Sequence, residues 1–148
     1  LVGSLAADGH DVIVLSRSPE RLTGLPAGGR AERWDGKSAD GWGPLADGAD
    51  AIVNLAGENI GGTSLLEILL AHWTPERKRR ILQSRADAGR AVVEAVARAS
   101  VKPRVIVQPS GVGYYGLGRD TAQREDAPPG NDFLARVERL LSLPPRTL

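Results

Sequence analysis

The chain has 148 residues, 41% of them hydrophobic and 25% charged, which suffices for one soluble domain with a sizeable core and leaves little room for a second. Its 19 Lys+Arg nearly balance its 18 Asp+Glu, so no global field favours nucleic acid or a membrane surface. It has no cysteine and two histidines, His10 and His72, far apart in sequence; this excludes disulfides, thiolate catalysis and cysteine-ligated zinc, and no metal site is expected.

In chain order, residues 1–9 (Leu-Val-Gly-Ser-Leu-Ala-Ala-Asp-Gly) have the pattern of the second half of an amphipathic helix stopped by a glycine. Val12-Ile13-Val14-Leu15 predicts a strand over about 11–16 that ends in Ser16-Arg17. Pro19 and Glu20 open a short helical turn. Arg30 to Trp34 alternates weakly as a short strand closed by Asp35-Gly36, and Trp42 to Asp47 fits one or two helical turns. Ala51-Ile52-Val53 predicts a strand over 51–55, running into Asn54-Leu55-Ala56-Gly57-Glu58. Thr63 to His72 holds a dense apolar cluster, expected as a short core helix, with an exposed insertion as the alternative.

Thr74-Pro75-Glu76 is a strong helix start: an N-cap threonine, proline at the first helical position and an acid in the first turn. The helix carries Ile81, Arg85, Ala88, Val92 and Val96 at helical spacing and should run to about Ser100, before Lys102-Pro103 breaks it. Val105-Ile106-Val107 predicts a strand over 104–108, followed by Gln108-Pro109-Ser110-Gly111-Val112-Gly113. Asp132 caps a last helix through Phe133, Val137 and Leu141. Strands alternating with helices imply right-handed βαβ units and a parallel sheet, its strands buried on both faces. Parallel strands end on one edge, and that edge is where open α/β sheets bind ligands. No apolar stretch approaches the roughly 20 residues of a membrane span and no signal-peptide pattern opens the chain. A cytoplasmic, or at least intracellular, setting is expected, with an organelle left open.

Six segments occur in a telling order: Asp11 to Pro19, Trp34-Asp35-Gly36, Ile52 to Ile60, Trp73 to Ile81, Gly113-Tyr114-Tyr115-Gly116 and Glu125 to Gly130. Together they resemble the atypical, epimerase-like branch of the extended short-chain dehydrogenase/reductases, whose members bind NADP(H). The likeness runs from residue 1 to about 137 and covers about the first half of a full-length member. It implies an α/β fold with a doubly wound parallel sheet of Rossmann type, here incomplete. Residues 1–148 would be a partial NAD(P)-binding domain without the first strand, its glycine-rich turn and the C-terminal substrate portion. A chain so cut is expected to bind dinucleotide poorly and to fold poorly alone.

Carried over residue by residue, the resemblance assigns cofactor contacts to Ser16, Arg17, Asp35, Asn54, Leu55, Ala56, Gly57, Glu58 and Ser110. After the strand at 11–16, Ser16 and Arg17 suit a 2′-phosphate, where a carboxylate would accept the 2′-hydroxyl of NAD; this favours NADP(H). A solvated loop residue is the other reading of Arg17, and a turn aspartate that of Asp35, otherwise set at the adenine edge. Leu55, Ala56 and Gly57 would pass their backbone along the adenosine. Ser110 matches the family's strand-end serine, facing the nicotinamide or a substrate carbonyl. The superfamily's Tyr-x-x-x-Lys pair is absent: the only tyrosines are Tyr114 and Tyr115, and Lys37, Lys78 and Lys102 are out of register with them. Tyr114 or Tyr115 would then be the catalytic proton donor beside Ser110, or the two rings simply pack in their loop. Arg77-Lys78-Arg79-Arg80 reads as a structural or cofactor-side element in preference to a nucleic-acid patch.

The expected partners are the dinucleotide and an unidentified small-molecule substrate, with neither nucleic acid nor membrane. The function implied is an oxidoreductase or nucleotide-sugar-epimerase-like enzyme. A non-catalytic NADPH-binding module and an inactive truncated product remain alternatives.

Overall fold

A computed structural model describes residues 1–60, 73–116 and 121–142. The apolar cluster at 63–72 lies outside them. The elements follow as α1 (Val2–Ala7), β1 (Val12–Ser16), β2 (Gly29–Arg33), β3 (Ala51–Val53), α2 (Pro75–Arg98), β4 (Val105–Val107) and α3 (Phe133–Ser142). Short 3-10 turns stand at Pro19–Arg21, Gly43–Ala46 and Val112–Tyr115. The fold is α/β, with every strand pairing parallel. β1 pairs with β2 in the register Val12 to Gly29 through Ser16 to Arg33, and β3 with β4 from Ala51 opposite Val105 to Val53 opposite Val107. Each β-branched run therefore makes its strand within one or two residues of the pattern read from sequence.

Helix α2 begins as its sequence dictates. The Thr74 hydroxyl accepts the Arg77 N–H at 3.2 Å, Pro75 occupies the first turn, and Glu76 complements the dipole. At the other end the Lys102 ammonium donates to the carbonyls of Val96, Ala97 and Ala99 at 2.6–2.8 Å, satisfying acceptors that the helix leaves open. Asp132 accepts the Ala135 N–H at 2.9 Å and so caps α3, as expected.

The core forms where the alanine face of α2 meets two tryptophans. Ala88, Ala91, Val92 and Ala95 pack with Trp34, Ala39, Trp42 and Ala46. Leu15 of β1, Ile52 of β3 and Ala56 just beyond β3 lie against this cluster, so both strand pairs meet one core. Small side chains let the helix approach two large rings closely. The rings stand edge to face, 5.7 Å apart, and both indole N–H groups donate to the Ser38 carbonyl at 2.7 and 2.8 Å. One carbonyl with two lone pairs thus satisfies both buried donors.

Burial of the strands on both faces is not what the structure has. Val105, Ile106 and Val107 are 51%, 40% and 45% exposed, and Val53 is 38% exposed. An apolar run specifies the strand; burying both faces takes cover that the described residues do not supply to β4. Among the described residues no helix is long and apolar enough to cross a membrane.

Trp42→Ala is expected to lower the unfolding free energy by about 3–5 kcal/mol, since the ring is 3% exposed and fills the core. Val112→Ala, at a side chain 85% exposed, should change it by less than about 0.5 kcal/mol in the same denaturant melt.

Candidate functional site

The loop after β3 is shaped by its own side chains and by α2. Asn54 is 6% exposed; its amide N–H donates to Gln108 Oε1 at 2.7 Å, and its Oδ1 accepts the Ala56 N–H at 3.2 Å. Gln108 donates back to the Asn54 carbonyl at 3.4 Å. The ends of β3 and β4 are therefore locked together at the residues where both strands stop. From there the chain passes over α2. The Glu58 N–H donates to Ser84 Oγ at 2.9 Å, the Glu58 carboxylate faces Arg80 at 3.7 Å, and Arg77 donates to the Ile60 carbonyl at 3.0 Å. Arg77 also lies over the Trp73 ring, and Lys78 over Phe133 of α3. The basic run at the start of α2 is thus structural, fastening this loop and α3, as favoured over a nucleic-acid patch.

Arg85 lies directly beneath the loop. It donates to the carbonyls of Glu58 at 3.0 Å and Ile81 at 3.3 Å. An ideal Cβ on Gly57 would stand 2.9 Å from the guanidinium carbon, so a glycine is required there by close approach. Burial pulls the guanidinium down from its ordinary value, while the charges of Glu138 and Glu58 push it back up. Glu138, on α3 and 9% exposed, accepts the Ser110 hydroxyl at 3.3 Å. Its carboxylate also fills the space beside Gly111, 3.1 Å from where a Cβ would be. Arg85, Glu138, Gly57, Glu58 and Ser110 form one connected cluster. Ser84, Arg85 and Glu138 were not among the expected site residues. A readable trace was Arg85 itself, a charge within the otherwise apolar stripe of Ile81, Ala88, Val92 and Val96.

The remaining expected residues fall into two groups. At the β1 end, Ser16 Oγ accepts the Ser18 N–H at 3.1 Å, and the Ser16 carbonyl accepts the Trp34 N–H at 2.9 Å. Arg17 is exposed, its Cδ 3.8 Å from the Cβ position of Gly36. Arg33 holds this turn from below, donating to the Arg17 carbonyl at 2.8 Å and to Glu20 at 2.9 Å. The Asp35 carboxylate accepts the Lys37 and Ser38 N–H groups at 2.7 and 2.9 Å and the Ser38 hydroxyl at 3.0 Å. These backbone donors, Ser38 first, lower its pKa below the ordinary 3.8. Leu55 is exposed, whereas Ala56 turns onto the core that also contacts Leu15, the residue before Ser16. The β1 end and the β3 loop thus flank one core cluster.

At the β4 end, Tyr114 and Tyr115 lie in the 3-10 turn Val112–Tyr115, their rings edge to face at 5.3 Å. The Tyr114 carbonyl accepts the Gly130 N–H at 2.8 Å, and a Cβ on Gly130 would fall 2.6 Å from the Gly116 Cα. The segments Gly113 to Gly116 and Glu125 to Gly130, distant in sequence, therefore meet backbone to backbone.

No protein-family model matches the chain. It is 33% identical over 142 residues to the epimerase family protein SDR39U1 homolog, chloroplastic, of Arabidopsis thaliana, covering 94% of this chain and 38% of that protein. It is 31% identical to the epimerase family protein YfhF of Bacillus subtilis, covering 95% of this chain and 43% of that protein. Among solved structures, human epimerase family protein SDR39U1 (isoform 2) with NADPH matches with a TM-score of 0.70 at 30% identity, over 95% of this chain and 42% of that one. A nucleoside-diphosphate sugar epimerase from Corynebacterium glutamicum matches with a TM-score of 0.57 at 25% identity, over 95% and 32%. The chain spans about two fifths of the length of the curated relatives it matches.

Two outcomes are expected of this site. The Asp35 contribution to stability is present above 3.8 and is lost as pH falls through the depressed native value. Asp35→Ala should therefore flatten the acid limb of the stability curve below that pH, by at most about 1 kcal/mol for a carboxylate standing in water. Gly130→Ala should destabilise far more, because its Cβ collides with main chain, and a thermal melt will register the difference.

Proposed function

We propose, from the premise that this chain belongs to the atypical, epimerase-like branch of the short-chain dehydrogenase/reductases, that it contributes the adenosine-side half of an NADP(H) site. In its intact form the protein is an oxidoreductase or nucleotide-sugar-epimerase-like enzyme acting on a small molecule. The observation that carries this reading is the locked end of β3 and β4, Asn54 against Gln108, which sets the backbone of Leu55, Ala56 and Gly57 at the strand edge. The solved human relative holding NADPH supports the same choice of cofactor. In this reading the guanidinium of Arg17 and the hydroxyl of Ser16 take the ribose 2′-phosphate, and Asp35 stands at the adenine edge. Ser110 and Tyr114 or Tyr115 serve the nicotinamide end, where the cofactor supplies hydride and a tyrosine or serine oxygen handles the proton.

A second reading is a module that binds NADPH without turning it over. Its support is the missing Tyr-x-x-x-Lys: α3 presents Phe133-Leu134-Ala135-Arg136-Val137 where the pair would stand, and the two tyrosines lie against each other instead of a lysine. The first reading requires carbonyl- or sugar-dependent NADPH consumption that Ser110→Ala diminishes.

Titration of the intact protein with NADPH, followed by nicotinamide fluorescence, should give saturable binding. Arg17→Glu should weaken NADPH at least about tenfold, the order of one charge-assisted contact turned repulsive, and leave NADH little changed. Absence of binding by the unaltered protein at high micromolar NADPH would eliminate the cofactor assignment.

A further inference from the structure

One buried titratable group at the strand edge has no part in the reading above. Glu138 reaches from α3 to Ser110, fills the place of a Gly111 side chain, and passes its Cγ within 3.7 Å of the Cβ position of Gly113. Arg85, held from α2 under Gly57, supplies the compensating positive charge. A carboxylate has lone pairs and no proton, so in this contact it only accepts. The single hydroxyl proton of Ser110 is committed to it, and the serine oxygen then meets other groups with its lone pairs. Ser110 is exposed, so a ligand at the edge can reach it.

We propose that Glu138 is the positioning residue that fixes the polarity of Ser110, making it a hydrogen-bond acceptor for the carboxamide N–H group of a bound nicotinamide ring. The proposal rests on the dinucleotide reading above and deepens it. It also divides the labour at the nicotinamide end. With the serine proton engaged, protonation of a substrate oxygen falls to Tyr114 or Tyr115. The two glycines beside the pair are part of the device, since Gly57 admits the Arg85 guanidinium and Gly111 admits the carboxylate. Either side chain would otherwise be pushed off its place.

The test compares NADP+ with its 3-acetylpyridine analogue, in which a methyl group replaces the amide nitrogen and removes the donor. Affinities for the intact protein are read by titration calorimetry. The unaltered protein should prefer NADP+ by about five- to tenfold, the range of one hydrogen bond. Glu138→Gln can turn its amide N–H toward the serine oxygen and release the hydroxyl proton. The preference should then fall to near unity, and Ser110→Ala should bring it to the same value with no further change in the double variant. A loss of folding alone would lower both affinities together and leave their ratio in place. Should Glu138→Gln not fold, Ser110→Ala decides, because its side chain is exposed. An unchanged ratio in either variant overturns the proposal. Failure of the unaltered protein to bind either nucleotide overturns the cofactor reading instead, and the proposal with it.

Discussion

A charged side chain half-withdrawn from water sets the terms for the rest of this molecule. The Arg85 guanidinium is expensive to bury, and the structure meets that cost with two carbonyl acceptors, Glu58 and Ile81, and two neighbouring carboxylates, Glu58 and Glu138. Each partner constrains something else. The Glu58 carbonyl draws the loop after β3 across the helix. Gly57 has to be without a side chain for that loop to pass over the guanidinium. Glu138 has to come from α3, which fixes how the last helix meets the end of β4. One cation on one helix thereby connects the terminal segments of two strands.

The tryptophan cluster supports that arrangement from the other side. Ala88, Ala91 and Ala95 keep the core face of α2 low, so the helix lies close to Trp34 and Trp42 while presenting Arg77, Arg80 and Ser84 to the loop. Both indoles meet the Ser38 carbonyl, in the same turn that Asp35 organises through its carboxylate. The Asp35 turn is thus not an isolated surface feature. It aligns the acceptor on which both core rings depend, and it brings Gly36 beside Arg17.

How much of this could be read from the chain depended on the range of the interactions. Strand cores, the Thr74 cap with Pro75 and Glu76, and the Asp132 cap are written in contiguous residues, and each lies where its local pattern put it. Six short segments in order pointed to the family, because together they encode strand ends and turns that one backbone geometry requires. Exposure of β4 was not legible: Val105 to Val107 spell a buried strand, yet burial is decided by what packs against it. Glu138 was also out of reach. It lies 28 residues beyond Ser110 and has the look of a solvent-facing helical glutamate until α3 is docked. Arg33 offers the same lesson, since an alternating charged strand says nothing of the carbonyl of Arg17, 16 residues earlier.

The exposure of β4 also explains the prolines around it. Three β-branched side chains in sequence form the kind of surface onto which a foreign strand adds, growing intermolecular sheet by main-chain pairing. Pro103 and Pro109 bracket this short strand, and neither has an N–H to give. Lys102 and Arg104 add like charge at its entrance. Any such ladder would therefore run out of donors within a few residues, so the chain carries its own brake on fibrillar self-association beside its most adhesive segment.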